Sequence, residues 1–328
     1  MRFIRTARAT AIATAALAVV ATTALSAAAE PNFTPDNDDV VVVGSDTTEF
    51  VLADLANLYN SSNPTRRIAS FDATGSAQIQ IRPGVTIDRP NGSGAGVNAL
   101  CGRTDIDAAR ASRGKGSSDC ADSRFLKFAQ DHLRWMANSG VTGVTSLTDA
   151  QLTSIYNCQT TNWSQLGGPN LPIVPLIPQI NSGTRATWAG LVGIPNSPLP
   201  NCVKDNVGGT DVQEHDPALV KTTAGSIAPV SDGRYSLLSA DQKAGTVEGG
   251  ISDASTTGYD RNLYQVVKAP GDVVPGYLAD LFGDGFGFSS TGGTPFICQP
   301  SDNDPATTTA GDVIKANGFF EVSDCGTF

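Results

Sequence analysis

Two hydrophobic rhythms alternate along the chain. Residues 40–43 are four valines that end at Gly44, a short β-branched run of the kind that forms a strand buried on both faces. Residues 47–60 then place Phe50, Val51, Leu55, Leu58 and Tyr59 on one helical face. The pattern predicts a strand at 68–71, a short helix at 94–100 and a third strand at 106–109.

A second series begins near His132. It predicts a strand at 133–136 and a helix at 148–156, capped by Thr148 with Asp149 in its first turn. Residues 173–177 read as a strand that Pro172 and Pro175 would shorten or push to an edge. A helix at 182–192 follows, opening on a polar, Gly-containing turn. Residues 195–258 are rich in Gly, Pro and Asp and show no clear period. Beyond them come a strand at 263–267 and helices at 277–282 and 310–316, separated by the Gly-rich stretch 283–293. Strands alternating with helices predict an α/β fold with largely parallel sheets, here in two lobes linked more than once.

The ends of this pattern carry an address. Arg2, Arg5 and Arg8 precede an uncharged, mostly Ala and Thr run that closes on Ala27, Ala28 and Ala29. That is the form of a secretory signal cleaved near Ala29, and the run is too poor in Leu and Ile for an anchor. No Cys follows it until Cys101, so no acceptor for an N-terminal lipid is present there, and no later stretch is apolar enough to span a bilayer. The expected product is exported, free of a lipid anchor and monomeric.

Export changes the charge count. The 328 residues carry 22 bases, 32 acids and a net charge of −10; losing three Arg takes it to −13. Such acidity disfavours a nucleic-acid partner, whose phosphates need neutralising. Export also fits the even set Cys101, Cys120, Cys158, Cys202, Cys298 and Cys325 as disulfides. No C-x-x-C pair supports zinc instead. Of the 15 possible pairings, sequential neighbours are the expectation: Cys101–Cys120, Cys158–Cys202 and Cys298–Cys325.

Candidate chemistry sits in three small-residue turns, each between a predicted strand and a predicted helix. They are Gly44-Ser45-Asp46-Thr47-Thr48, Asn91-Gly92-Ser93-Gly94-Ala95-Gly96 and Asn181-Ser182-Gly183-Thr184-Arg185. Each offers backbone N–H groups at a helix start with hydroxyls beside them, an arrangement that binds oxyanions. Any one alone is an ordinary cap; three in the same strand–turn–helix context point to binding at the carboxyl ends of the strands.

Residues 44–59 resemble the first strand and helix of the phosphate-binding proteins of ABC transporters. Gly92-Ser93-Gly94-Ala95-Gly96-Val97 is similar to their second loop, and Asp107-Ala108-Ala109-Arg110-Ala111-Ser112 to their third. Leu147-Thr148-Asp149-Ala150-Gln151-Leu152, with Ile155, Tyr156, Asn162 and Trp163, resembles their second-lobe helix, and Ser182-Gly183-Thr184-Arg185 their Ser-Gly-Thr loop. The resemblance runs to about Trp188 and then fades. It implies a two-lobe periplasmic-binding-protein-like fold of type II, each lobe a mostly parallel sheet flanked by helices, closing on a dehydrated oxyanion. Residues 30–130 and 261–328 would form lobe I and 131–260 lobe II. The implied function is capture of phosphate or a similar small oxyanion for uptake through an ABC transporter permease, with no catalysis and no cofactor or metal.

Carried over position by position, the ligands would be Asp46 and Thr47, Ser93, and Ser182, Gly183 and Thr184. Two departures follow. The family's third loop ends in an Asp that accepts a proton from bound phosphate; here that place falls on Ser112, or on Ala111 one register away, with Asp46 as the substitute acceptor. The family's Arg four residues before Ser-Gly-Thr is Pro178 here, leaving Arg110 or Arg185 to supply the charge, since Arg forks onto an oxyanion. An Asp46–Arg110 ion pair with no ligand role is the level alternative. The other class of function is a secreted or cell-surface interaction protein that keeps the fold without transporter delivery.

Other groups read as structural. No G-x-S-x-G elbow occurs, His132 sits in a predicted strand beside Trp135, and Trp163 and Trp188 follow apolar helical positions. His215, in Gln213-Glu214-His215-Asp216-Pro217, reads as an exposed loop residue, with Glu214 and Asp216 beside it as the only hint of a metal.

Overall fold

A computed structural model describes residues 30–252, 259–302, 304 and 306–328; the leader expected at 1–29 lies outside the described residues. The valine run is strand β1 (Val40–Gly44), buried along its whole length. Val40 and Val42 enter one core with Val51, Leu55 and Phe282, while Val41 and Val43 enter another with Phe71, Val97 and Val266. That alternation is the two-residue repeat of a strand covered on both faces.

Around β1 lie β2 (Ile68–Ser70), the hairpin β3 (Gln78–Arg82) and β4 (Val85–Asp88), and β5 (Ala108–Ala111), with helices α1 (Glu49–Asn60) and α2 (Ser93–Gly102). The hairpin stands outside the large sheet and has no counterpart among the predicted elements. Gly44 has φ +121°, and a Cβ on Gly96 would come within 2.5 Å of its Cα. Two glycines therefore let the start of α2 close directly over the end of β1.

Strand β6 (Ser123–Asn138) is far longer than the predicted 133–136. Lys127, Asp131, His132 and Arg134 interrupt the apolar run that sequence periodicity follows, yet the strand continues through them by pairing. The next elements are β7 (Ser146–Leu147), α3 (Asp149–Tyr156), β8 (Val174–Pro175), α4 (Gly183–Leu191), β9 (Asn206–Val207) and β10 (Thr210–Asp211). Thr148 caps α3 as expected, within a reciprocal box with Gln151. β8 is the short edge strand that its prolines predict.

The stretch without a clear period contains α5 (Ala218–Thr222), β11 (Ser226–Ser231), α6 (Asp232–Leu237), α7 (Ala240–Lys243) and β12 (Thr246–Ile251). β11 is wholly buried between β6 and β8, and Pro229 in its middle hides it from a pattern search. The chain closes with β13 (Asp260–Lys268), α8 (Gly276–Phe282), α9 (Ala310–Ala316) and β14 (Phe320–Glu321).

The large sheet runs β2-β1-β5-β13-β6-β11-β8, with β12 and β14 also on β6. Its outer pairs, β2–β1, β1–β5 and β11–β8, are parallel. Every antiparallel pair in this sheet involves β6 or β13, the two strands that join its halves. Beyond that junction Leu133 and Trp135 pack with Leu152, Trp163 and Trp188 on one face, and Met136 with Leu176 and Val230 on the other. Trp163 and Trp188 are buried as expected. The disulfides are Cys101–Cys120, Cys158–Cys202 and Cys298–Cys325, the sequential pairing. Among the described residues no helix is long and apolar enough to cross a membrane.

Candidate functional site

The carboxyl end of β1 turns through Ser45, Asp46, Thr47 and Thr48 into α1, and all four residues are buried. The turn before α2 delivers Ser93, the end of β5 delivers Ser112, and the turn before α4 delivers Gly183 and Thr184. These groups converge. Ser93 Oγ accepts the Ser112 N–H at 3.0 Å, and Thr47 Oγ1 lies 3.3 Å from Ser112 Oγ and 3.5 Å from Thr184 Oγ1. A Cβ on Gly183 would stand 2.2 Å from Ser93 Oγ and 2.4 Å from Ser112 Oγ, so only glycine lets the α4 turn approach. Ser182 borders the cluster as the N-cap of α4, its Oγ accepting the Arg185 N–H at 2.9 Å.

The structure does not bring the two expected arginines to these hydroxyls. Arg110 is fully buried, but its guanidinium donates to the carbonyls of Gly44, Ser45 and Phe71 and to Ser70 Oγ, tying β1 to β2. None of these bonds reaches Asp46. Burial lowers its pKa to about 10, against the raising pull of Glu49, Asp72 and Asp46, so it stays charged. Arg185 donates to the Pro178 and Asn196 carbonyls and to Asp205. Both act as props for the turns.

The guanidinium at the cluster is that of Arg261, on β13. Its Nη1 donates to Thr184 Oγ1 at 2.8 Å and its Nη2 to Thr47 Oγ1 at 3.2 Å, while Nε donates to Asp131 on β6 at 2.9 Å. A signal for both residues exists in the sequence. Arg261 is in phase with Leu263, and Asp131 with Leu133 and Trp135, so each charge falls on a buried strand face where it requires a partner.

His215 is buried, not exposed as the loop composition suggests, and so is Glu214. The chain at His215 has φ +58°, a left-handed turn uncommon outside glycine, which brings two successive side chains to the same place. Glu214 Oε2 accepts from Thr47 Oγ1 at 2.9 Å and from Thr184 Oγ1 at 3.0 Å. His215 Nε2 lies 2.9 Å from Thr47 Oγ1 and 3.6 Å from Glu214 Oε2. Asp216 stays outside, its carboxylate accepting the Ala218 N–H.

Burial, and after it the negative charge of Glu214, raises the Asp46 carboxyl well above its ordinary value. Burial alone would raise Glu214 too. The neighbouring polar groups of His215 and Asp46 and the charge of Arg261 outweigh it and hold Glu214 below its ordinary range. Burial lowers His215 against the pull of Glu214, leaving a neutral ring.

Asp46, Glu214 and His215 offer ligand atoms within 4.8 Å of one another, the spacing of a metal centre. The imidazole tautomer argues against one. His215 Nδ1 accepts the Ser231 N–H at 3.1 Å, which leaves the single proton of a neutral ring on Nε2. Nε2 is then a donor into the cluster and has no lone pair for a cation. A cavity of about 520 Å³, walled by Gly94, Lys115, Asn181, Ser182 and Thr187 among others, shares Ser182 with the expected set. Thr47, Glu214, His215 and Arg261 are not in its walls, so the donor cluster is a closed seat beside it.

Residues 8–264 match the model of the PBP superfamily domain. A Clostridium perfringens phosphate ABC transporter substrate-binding protein, solved with phosphate bound, is 19% identical with a TM-score of 0.59, covering 87% of this chain and 100% of that one. An ABC-type phosphate transport receptor from Vibrio cholerae has the same identity and coverage, at a TM-score of 0.52. A phosphate-binding protein from Stenotrophomonas maltophilia is 13% identical, covering 87% of this chain and 91% of its own, at 0.51. At these identities the likeness is one of fold. No curated protein matches the sequence.

Proposed function

This chain belongs to the PBP superfamily, and on that premise we propose that it captures a small oxyanion, phosphate or a close relative, between two closing lobes. The carrying observation is the pair of hydroxyls, Thr47 and Thr184, to which one buried guanidinium donates at 3.2 and 2.8 Å. Buried hydroxyls backed by a guanidinium suit an oxyanion, because each donor is already aimed and a low-dielectric surround strengthens the bonds. The phosphate-binding neighbours support the same ligand class.

In this reading lobe I is 30–130 with 261–328, lobe II is 131–260, and β6 and β13 form the hinge between them. Thr47, Ser93, Ser112, Gly183 and Thr184 line the seat, with Asp46 as a buried neighbour and Ser182 as the cap that shapes α4. Arg261 and the Nε2–H of His215 join them, and Arg110 and Arg185 hold the turns. Asn91, which hydrogen-bonds Gln213 and Gln179, and Arg234, which meets Glu49, fasten the closed form across the cleft. Binding favours closure by the difference in affinity between open and closed forms. The role is capture without turnover, outside the cytoplasm after loss of residues 1–29, as a monomer that delivers to an ABC transporter permease.

A thermal-shift panel of phosphate, sulfate, arsenate and phosphonate tests this. A true ligand at a hundredfold over its Kd adds about 2.7 kcal/mol of stability, and Thr47→Ala or Thr184→Ala removes that gain. A midpoint that no oxyanion moves leaves the interaction-protein reading in its place.

A further inference from the structure

Glu214 is bound the way a free oxyanion would be. One of its oxygens accepts from two hydroxyls, Thr47 at 2.9 Å and Thr184 at 3.0 Å. Arg261 donates to both of those hydroxyl oxygens, which turns their protons toward the carboxylate. Guanidinium, hydroxyl and carboxylate thus form two parallel relays in which each bond polarises the next. The carboxylate comes from the loop after β10, on the far side of the cleft from Thr47.

The other carboxylate oxygen, Oε1, is buried without a hydrogen-bond partner, and so is Oδ1 of Asp46. A buried ion pair built for stability satisfies its lone pairs; one left half-satisfied is costly. The charges around it explain why it cannot simply make room for a second anion. Arg261 is already paired with Asp131 and Arg234 with Glu49, and Arg110 donates to backbone carbonyls and Ser70 Oγ, so each of these three charges is already engaged. Two anions about 4 Å apart repel by about 4 kcal/mol at the effective dielectric of such a site.

We propose that Glu214 is a built-in competitor: its carboxylate takes the oxyanion seat in the closed protein, and a solute oxyanion binds by displacing it. This rests on the oxyanion-capture reading above. Glu214 then sets a threshold, because the apparent affinity is the intrinsic one reduced by the fraction of molecules whose seat is free. It also gives the Thr47 and Thr184 hydroxyls an acceptor before solute arrives.

The test is isothermal titration of the full chain and its Glu214→Ala variant with phosphate and with sulfate, alongside thermal melts. Glu214→Gln keeps the shape and an acceptor oxygen but drops the charge, and it carries the test if circular dichroism shows Glu214→Ala unfolded. The expected result is phosphate binding at least tenfold tighter in the variant, with an anion-free melting midpoint below the parent's that phosphate restores. Binding in the variant that is equal or weaker overturns the competitor and leaves capture standing, as it would if Glu214 received a proton from the ligand. Binding in the variant with none in the parent supports the competitor and overturns capture by the native chain. No binding of either anion by any of the proteins overturns both.

Discussion

Arg261 and Asp131 are register partners on β13 and β6, and their guanidinium and carboxylate meet at 2.8 Å with both side chains buried. The arginine that supports both threonines is therefore held by the strand pair that joins the two halves of the sheet. Asp131 also accepts from Ser231 Oγ, the N-cap of α6, whose backbone N–H meets His215 Nδ1. One carboxylate thus fixes the site's charge and, through Ser231, braces the helix start that sets its imidazole tautomer.

Asp131→Asn is expected to lower unfolding stability by roughly 3–5 kcal/mol, the cost of leaving a buried charge without its partner. Chemical denaturation measures it. Arg134→Ala, on the same strand in an ion pair with Asp232 exposed by about a third on each side, is the contrast and should stay within about 1 kcal/mol. Equal losses for the two would place no special weight on the crossing-strand pair.

Much of this was legible from residues alone, for identifiable reasons. The turns at Asp46 and Thr47, at Ser93 and at Gly183 and Thr184 announce themselves because capping and close approach demand small polar residues at fixed places. Arg261 and Asp131 were readable in principle from their phase on buried strand faces. Glu214 and His215 were not. They lie in a loop with no period, and a single left-handed residue decides where their side chains go, a fact that local sequence does not carry.

Gly183→Ala should abolish oxyanion binding, since its Cβ would lie 2.2 and 2.4 Å from the Ser93 and Ser112 hydroxyl oxygens. Gly190, also in α4, has nothing within 4 Å of an added Cβ. There alanine should be neutral for binding and raise stability by about 0.5–1 kcal/mol through helix propensity. Titration and melting of the two variants give opposite answers if α4 meets the seat through Gly183; like answers would separate α4 from the seat.

The disulfides close spans of 19, 44 and 27 residues. Loop-closure entropy assigns roughly 3–4 kcal/mol to each, rising slowly with span. Replacing Cys158 and Cys202 together by Ser should therefore lower stability somewhat more than replacing Cys101 and Cys120. Denaturation of both double variants checks the order. The reverse order would mean that local packing around α2 outweighs chain entropy.

Stability should fall as pH rises from about 5 to 8. Burial, then the charge of Asp232, raises Glu248 to about 7 against the pull of Arg134. Burial, then the charges of Glu49 and Glu30, raises Asp72 to about 6, and Asp46 is raised as well. In the unfolded chain these groups ionise near pH 4. Between that pH and their folded values the native state holds protons that the unfolded state has released. Their contribution is complete below about pH 4 and is lost as pH climbs through 6 and 7. Glu214 and Asp119, held low, act in the opposite sense in stronger acid, and His215, lowered by burial, opposes the decline below about pH 6.5. Urea midpoints measured across pH 5 to 8 should decline, with Asp72→Asn removing the part near pH 6 and Glu248→Gln the part near pH 7. A profile that is flat, or that keeps its slope in both variants, would show that these carboxyls reach solvent in the folded protein.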